Sequence, residues 1–138
     1  MSAATSITRV HQIVVHAINT ALKPFGLTFA RFEALRLLAF TRRGELPLGK
    51  MGVRLMVHPT SITNVIDRLE RDGLVDRVAH PSDRRTTLAR ITDDGRALVD
   101  RATAALAAME FGLGSLAQAD LNRLDSILAS IRESAGDF

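Results

Sequence analysis

The sequence predicts a mainly α chain carrying one small β-hairpin, and three observations predict it. Apolar residues recur at three- and four-residue steps near both ends of the chain, the period of helices with one buried face. Two short segments of extended character, 74–79 and 86–91, flank the turn-rich stretch His80-Pro81-Ser82-Asp83-Arg84-Arg85. The 138 residues leave room for one domain, and 46% hydrophobic against 24% charged residues fills a core.

The elements follow in order. Ile7, Val10, Val14, Ile18 and Leu22 form one helical stripe, which Lys23-Pro24-Phe25-Gly26 ends. Thr28 is placed to cap a second helix with Phe32, Leu35 and Leu38 on its buried side. Phe25, Phe29, Phe32 and Phe40 are candidates either for the core or for an apolar pocket near these helices. Thr41-Arg42-Arg43-Gly44-Glu45 is a polar turn. Leu46-Pro47-Leu48 is expected only as a short extended piece, because proline donates nothing to a sheet ladder. The next helix, up to Leu55, is weak, since Gly49 and Gly52 each cost about 1 kcal/mol relative to alanine. Gly52 either lets two helices cross closely or merely loosens the element.

Pro59 suits a first helical position, and a well-defined helix runs from it to Asp72, where Gly73 stops it. The two extended segments then make a two-stranded hairpin too small to stand alone. Thr92 caps a long helix through Leu98, Ala102, Ala105, Leu106 and Met109, broken at Phe111-Gly112-Leu113-Gly114. Ser115 and Gln118 have the spacing of a capping box for a last helix bearing Leu121, Leu124, Leu128 and Ile131.

Charge is unevenly distributed. Residues 1–92 hold 14 Lys and Arg against 7 Asp and Glu, a net +7, whereas residues 93–138 are net −4. A polyanion would therefore meet the first two thirds of the chain. Sixteen of the 18 cations are Arg, whose planar fork suits phosphates and base edges.

At 100° per residue, Ile62, Val65, Ile66 and Leu69 share one side of the 59–72 helix. Thr60, Asn64, Asp67 and Arg71 lie opposite, flanked by Ser61, Arg68 and Thr63. Short hydrogen-bonding side chains of this kind can approach base edges without filling a groove. Met56-Val57-His58 joins this helix to the short one before it, the turn length of a helix-turn-helix. On the hairpin, Arg84 and Arg85 at the tip can reach a phosphate backbone or a narrow minor groove. Asp83 is expected to orient a neighbouring Arg through a carboxylate–guanidinium pair, with Arg77 as the alternative partner.

These residues carry a family resemblance. Thr63-Asn64-Val65-Ile66-Asp67-Arg68-Leu69-Glu70-Arg71-Asp72-Gly73-Leu74-Val75-Asp76-Arg77 resembles the recognition helix and first wing strand of MarR-type transcriptional regulators. Asp83-Arg84-Arg85 followed by Leu88, Ile91-Thr92 and Gly95 resembles their wing and the entry to the next helix, and Gly26-Leu27-Thr28 the stretch before their second helix. The resemblance runs from about residue 7 to residue 133 and is most specific in its central motif. Met51-Gly52 stands where the family usually has Leu-Ala, and Arg31 where a Gln is common.

The resemblance implies a winged helix-turn-helix whose N- and C-terminal helices form a dimerisation bundle. Residues 1–138 make one domain, with 1–25 and 96–138 for dimerisation and 26–95 for DNA. It implies a homodimer on double-stranded DNA at a roughly palindromic operator, usually as a repressor released by a small-molecule effector. By position it assigns groove contacts to Thr60, Ser61, Thr63, Asn64 and Arg68, the minor groove to Arg85, and the acidic wing partner to Asp83. The apolar stripes at both chain ends point to an intersubunit bundle independently.

Other chemistry finds little footing. Cysteine is absent, which excludes disulfides, thiolate zinc sites and a cysteine redox switch, while methionine oxidation remains open. No phosphate-cradling glycine loop occurs, and Asp93-Asp94 at a helix start needs only the helix dipole, so an enzyme is not expected. No cofactor is expected. His11 and His16 are five residues apart rather than four, so no metal site is expected, although a metal-sensing regulator on the same fold stays an alternative, as does a winged-helix module for protein contacts. No apolar run of about 18 residues and no basic-then-apolar start suggest neither membrane nor secretion, and a cytoplasmic location is the simplest expectation. The effector is not legible.

Overall fold

The computed structural model describes residues 2–137. Ser2 opens the first helix, α1 (Ala3–Leu22), its hydroxyl accepting from the Thr5 amide at 3.3 Å. The second half of the α1 stripe faces the core: Ile18 and Leu22 are buried and Val14 packs against them, whereas Ile7 and Val10 are exposed. A 3-10 turn at Lys23–Phe25 and left-handed Gly26 (φ +67°) reverse the chain. Thr28 then caps α2 (Phe29–Phe40) by accepting from the Arg31 amide, and Phe32, Leu35 and Leu38 are buried as the spacing predicts. Of the four phenylalanines, Phe32 lies in the core and Phe25 and Phe29 pack against it. Phe29 stacks on buried Phe32 with ring centroids 6.3 Å apart, while Phe40 stands 72% exposed beneath the Arg36 guanidinium at 4.2 Å.

The sheet departs from expectation. It has three antiparallel strands, β1 (Glu45–Pro47), β2 (Val75–Ala79) and β3 (Thr87–Ile91), in the order β1-β3-β2. Glu45, Leu46 and Pro47 pair with Arg90, Ala89 and Leu88, so the short extended piece is a true edge strand of a sheet expected to have two strands. Pro47 is tolerated because it ends the edge strand, where a missing N–H breaks no continuing ladder. The strand delivers the chain directly into α3 (Leu48–Arg54), followed by α4 (Pro59–Arg71).

One core joins these elements. Leu22, Leu35, Leu38, Met51, Ile66, Leu69, Val75, Val99 and Leu106 are all fully buried. Val99 and Leu106 come from α5 (Asp93–Ala108), whose start is pinned by Thr92. The Thr92 hydroxyl donates to the Gly73 carbonyl at 2.8 Å and accepts from the Gly95 amide at 3.0 Å, joining the α5 cap to the turn after α4. Gly95 is buried against that turn, and a Cβ added there would lie 2.2 Å from the Leu74 carbonyl oxygen.

After α5 the chain makes a left-handed turn, with Glu110, Phe111 and Gly112 all at positive φ (52°, 51° and 80°). The expected capping box does not form. The last helix, α6 (Gln118–Ser134), starts two residues later than a Ser115 cap requires, with Ala117 at the cap position and no side-chain cap bond. Gln118 is thereby the first helical residue and donates instead to Asn122 Oδ1 at 2.9 Å. Helix α6 buries none of its residues. Leu121, Leu124 and Leu128 are half-buried, Ile127 is 61% exposed, and a groove of about 660 Å³ between Ile7, Val10, Val14, Leu124 and Leu128 stays open. Among the described residues no single helix is long and apolar enough to cross a membrane.

Replacing Gly95 with alanine drives a methyl group into the Leu74 carbonyl. It is expected to cost about 2–3 kcal/mol of stability, at the upper end of overpacking penalties. Thermal unfolding checks this, and an unchanged midpoint contradicts it.

Candidate nucleic-acid interface

Helices α3 and α4 meet across a tight turn. Gly52 is buried at the crossing, the Val57 amide donates to its carbonyl at 3.0 Å, and an added Cβ would lie 3.3 Å from the Val57 oxygen. Gly52 thus packs closely against the turn that joins the two helices. Met56 completes the turn in the left-handed region at φ +52° with its side chain 78% exposed, a conformation glycine fills more cheaply. His58 caps α4: its Nδ1 accepts from the Thr60 amide at 3.1 Å, and Pro59 follows at the first helical position. That function was available from the sequence, because a proline suited to a helix start makes the preceding residue the cap.

The core fixes the orientation of α4. Ile62, Ile66 and Leu69 are buried and Val65 is half-buried, so Thr60, Ser61, Thr63, Asn64, Asp67, Arg68 and Arg71 are all exposed together. The Thr63 hydroxyl donates to the Pro59 carbonyl at 3.0 Å, leaving its lone pairs to accept. Arg68 reaches Asp72 at 3.1 Å along its own helix.

The turn between β2 and β3 is ordered from within. His80 Nδ1 accepts from the amides of Ser82 and Asp83, both at 3.1 Å. Asp83 orients no arginine side chain. Its carboxylate accepts from the backbone amide of Arg85 and from the Thr86 hydroxyl, each at 2.9 Å. Those two bonds, the Arg85 amide first, hold the Asp83 carboxyl below its ordinary range. The expected guanidinium pair is replaced because an aspartate two residues ahead of an amide closes an Asx turn more readily than it reaches a long side chain. Arg84 and Arg85 are exposed and have no ion-pair partner among the described residues.

Arg77 is not the partner of Asp83 either. Its guanidinium spans Asp67 and Glu70 of α4, Glu70 at 2.9 Å, and its backbone amide donates to the other Glu70 oxygen at 3.1 Å. Burial pulls its pKa down, but the bonds to both carboxylates outweigh this and raise it overall. Strand β2 is thus tied to the helix beside it. The sequence signal was Asp67 and Glu70 three apart on one helix, with an arginine on the strand after the Gly73 turn. His11 and His16 lie exposed on α1, and among the described residues no three His, Asp or Glu gather as a metal site.

Comparison with known proteins places this arrangement. Residues 27–87 match the MarR family model. The crystal structure of Sco5413, a MarR family transcriptional regulator from Streptomyces coelicolor, superposes with a TM-score of 0.93 at 51% identity, covering 99% of this chain and 94% of that one. The chain belongs to the MarR family. Among curated MarR-like relatives, the HTH-type transcriptional regulator MhqR of Bacillus subtilis is 34% identical over 94 residues, 68% of this chain. The chain spans 63% of MhqR's length, less than two thirds. CouR from Rhodococcus jostii RHA1, solved bound to p-coumaroyl-CoA, is 27% identical with a TM-score of 0.81, covering 94% of this chain and 91% of CouR.

Asp83 sets a pH dependence at the tip. Its carboxyl titrates lower in the folded chain than in the unfolded one. Its contribution is therefore complete above the unfolded range and is lost as pH falls through the folded value. The protection factor for amide exchange at Arg85, measured by NMR against the intrinsic rate at each pH, is expected to fall on such acidification and in Asp83→Ala at neutral pH. Equal protection in the variant contradicts this.

Proposed function

We propose that the chain is a sequence-specific double-stranded DNA-binding transcriptional regulator, working as a homodimer that represses from a palindromic operator and is released by a small molecule. The observation that carries this is the exposed polar face of α4 beside two unpaired arginines at the tip of an adjoining wing. Membership of the MarR family supports it, as does the naming of MhqR as an HTH-type transcriptional regulator.

Thr60, Ser61, Thr63 and Asn64 read base edges in the major groove, with Arg68 at the margin against base or phosphate. Arg85 enters the minor groove and Arg84 holds the adjacent phosphates. Asp83 shapes the loop that presents them, and Arg77 fixes the wing against α4. Residues 26–95 form this DNA-binding region.

Residues 1–25 and 96–138 form the dimerisation part. An amphipathic helix is stabilised mainly by what covers its apolar face. Among the described residues α6 buries none of its side chains fully, and Ile7, Val10 and Ile13 of α1 are exposed. A second copy closes both under two-fold symmetry. The two α4 helices then sit about one DNA turn, roughly 34 Å, apart. Repression follows from occupying promoter DNA. A small molecule held between the two regions would release DNA by favouring a different spacing, and that CouR was solved bound to p-coumaroyl-CoA supports a small-molecule effector. This is a cytoplasmic regulator rather than an enzyme.

A fluorescence-anisotropy titration with the duplex upstream of the protein's own coding sequence tests the proposal. Salt-sensitive binding, stronger than to scrambled duplex, is expected. No complex at low salt points instead to a winged helix used for protein contacts. Arg85→Ala is expected to weaken operator binding by about 1–3 kcal/mol without loss of folding stability. Asn64→Ala is expected to return a degenerate half-site in selection from random DNA. Unchanged affinity or an unaltered consensus would contradict these assignments.

A further inference from the structure

The proposed interface leaves a second group of cations unused. Lys50 and Arg54 sit four residues apart on α3, both exposed, and neither has an ion-pair partner among the described residues. They line a groove of about 970 Å³ between α3 and the wing, whose other wall includes His80, Arg85 and Thr86. No carboxylate lines this groove. Several other arginines are answered: Arg36 by Asp100, Arg68 by Asp72, Arg77 by Asp67 and Glu70, Arg90 by Glu45. Here three cations face one space with nothing to neutralise them, a concentration of positive potential that a polyanion relieves.

The wall from the wing is also chemically suited to phosphate. His80 spends Nδ1 as the acceptor of two loop amides, which leaves Nε2 to face the groove as the donor. The position of the groove decides which anion fits. It separates the helix pair that carries the reading helix from the wing that carries Arg85. In a duplex, what separates a major groove from the neighbouring minor groove is one sugar-phosphate backbone. We infer that Lys50 and Arg54, together with His80 across the groove, form a channel that tracks the phosphates of that strand. The inference rests on the DNA-binding reading and extends its footprint to α3.

The test is the salt dependence of binding for wild type, Lys50→Gln, Arg54→Gln and the double variant, on the upstream duplex and on a random duplex. The double variant is expected to bind both duplexes about tenfold or more weakly at physiological salt, with an unchanged unfolding midpoint. Its plot of log affinity against log salt should flatten by about 0.9 for each phosphate no longer neutralised. An unaltered slope overturns the channel, whatever the affinity. A parallel titration with sodium benzoate supplies a second arm: a double variant that loses benzoate binding and keeps DNA binding makes the groove a small-anion site and overturns the channel too. Wild type that binds neither duplex removes the DNA reading itself, whereas wild type that binds with variants indistinguishable from it removes only this inference. Should the double variant unfold, Lys50→Gln at its exposed position supplies the same slope measurement.

Discussion

The rotation of α4 about its own axis is the constraint on which the rest depends. Ile62, Ile66 and Leu69 are driven into the core, and burying each aliphatic side chain is worth about 1.5–3 kcal/mol. No other rotation buries all three. Turning the helix over would expose them and bury Thr60, Asn64 and Asp67, each of which would need a partner the core does not offer. The polar face is therefore presented outward by hydrophobic packing, and its composition is free to serve recognition.

The wing is held to α4 by electrostatics. Arg77 links β2 to Asp67 and Glu70, and in doing so neutralises two carboxylates of α4. The wing tip is organised separately, by Asp83 and His80 bonding to loop amides. Arg84 and Arg85 are thus left unpaired on a shaped loop. The same division recurs at the other end of the molecule: no residue of α6 belongs to the core, and its apolar strip is left partly exposed.

Much of this was legible in the sequence because it depends on period and local chemistry. The stripes of α2 and α4, the caps at Thr28 and Thr92, and the stop at Gly73 all act within a few residues. What escaped depends on pairing between distant segments or on competition between near ones. Strand β1 pairs with β3 some 45 residues away, as the Glu45–Arg90 bond shows, and an isolated proline-containing tripeptide carries no sign of that. Asp83 chose a backbone amide two residues on over a guanidinium. Ser115 has no capping role because the left-handed turn at Glu110–Gly112 delays the start of α6. Of the candidate site, the residue types on α4 and the wing were readable, whereas the partners of Arg77 and the groove of Lys50 and Arg54 emerge only once α3, α4 and the wing are folded together.

Hydroxyl-radical footprinting on the upstream duplex tests the central claim most directly. Two copies of α4 in successive major grooves, each flanked by a wing, predict protected backbone in two symmetric blocks about one helical turn apart, with minor-groove protection outside each. A single block, or cleavage identical to free DNA at concentrations that saturate any complex, would contradict it.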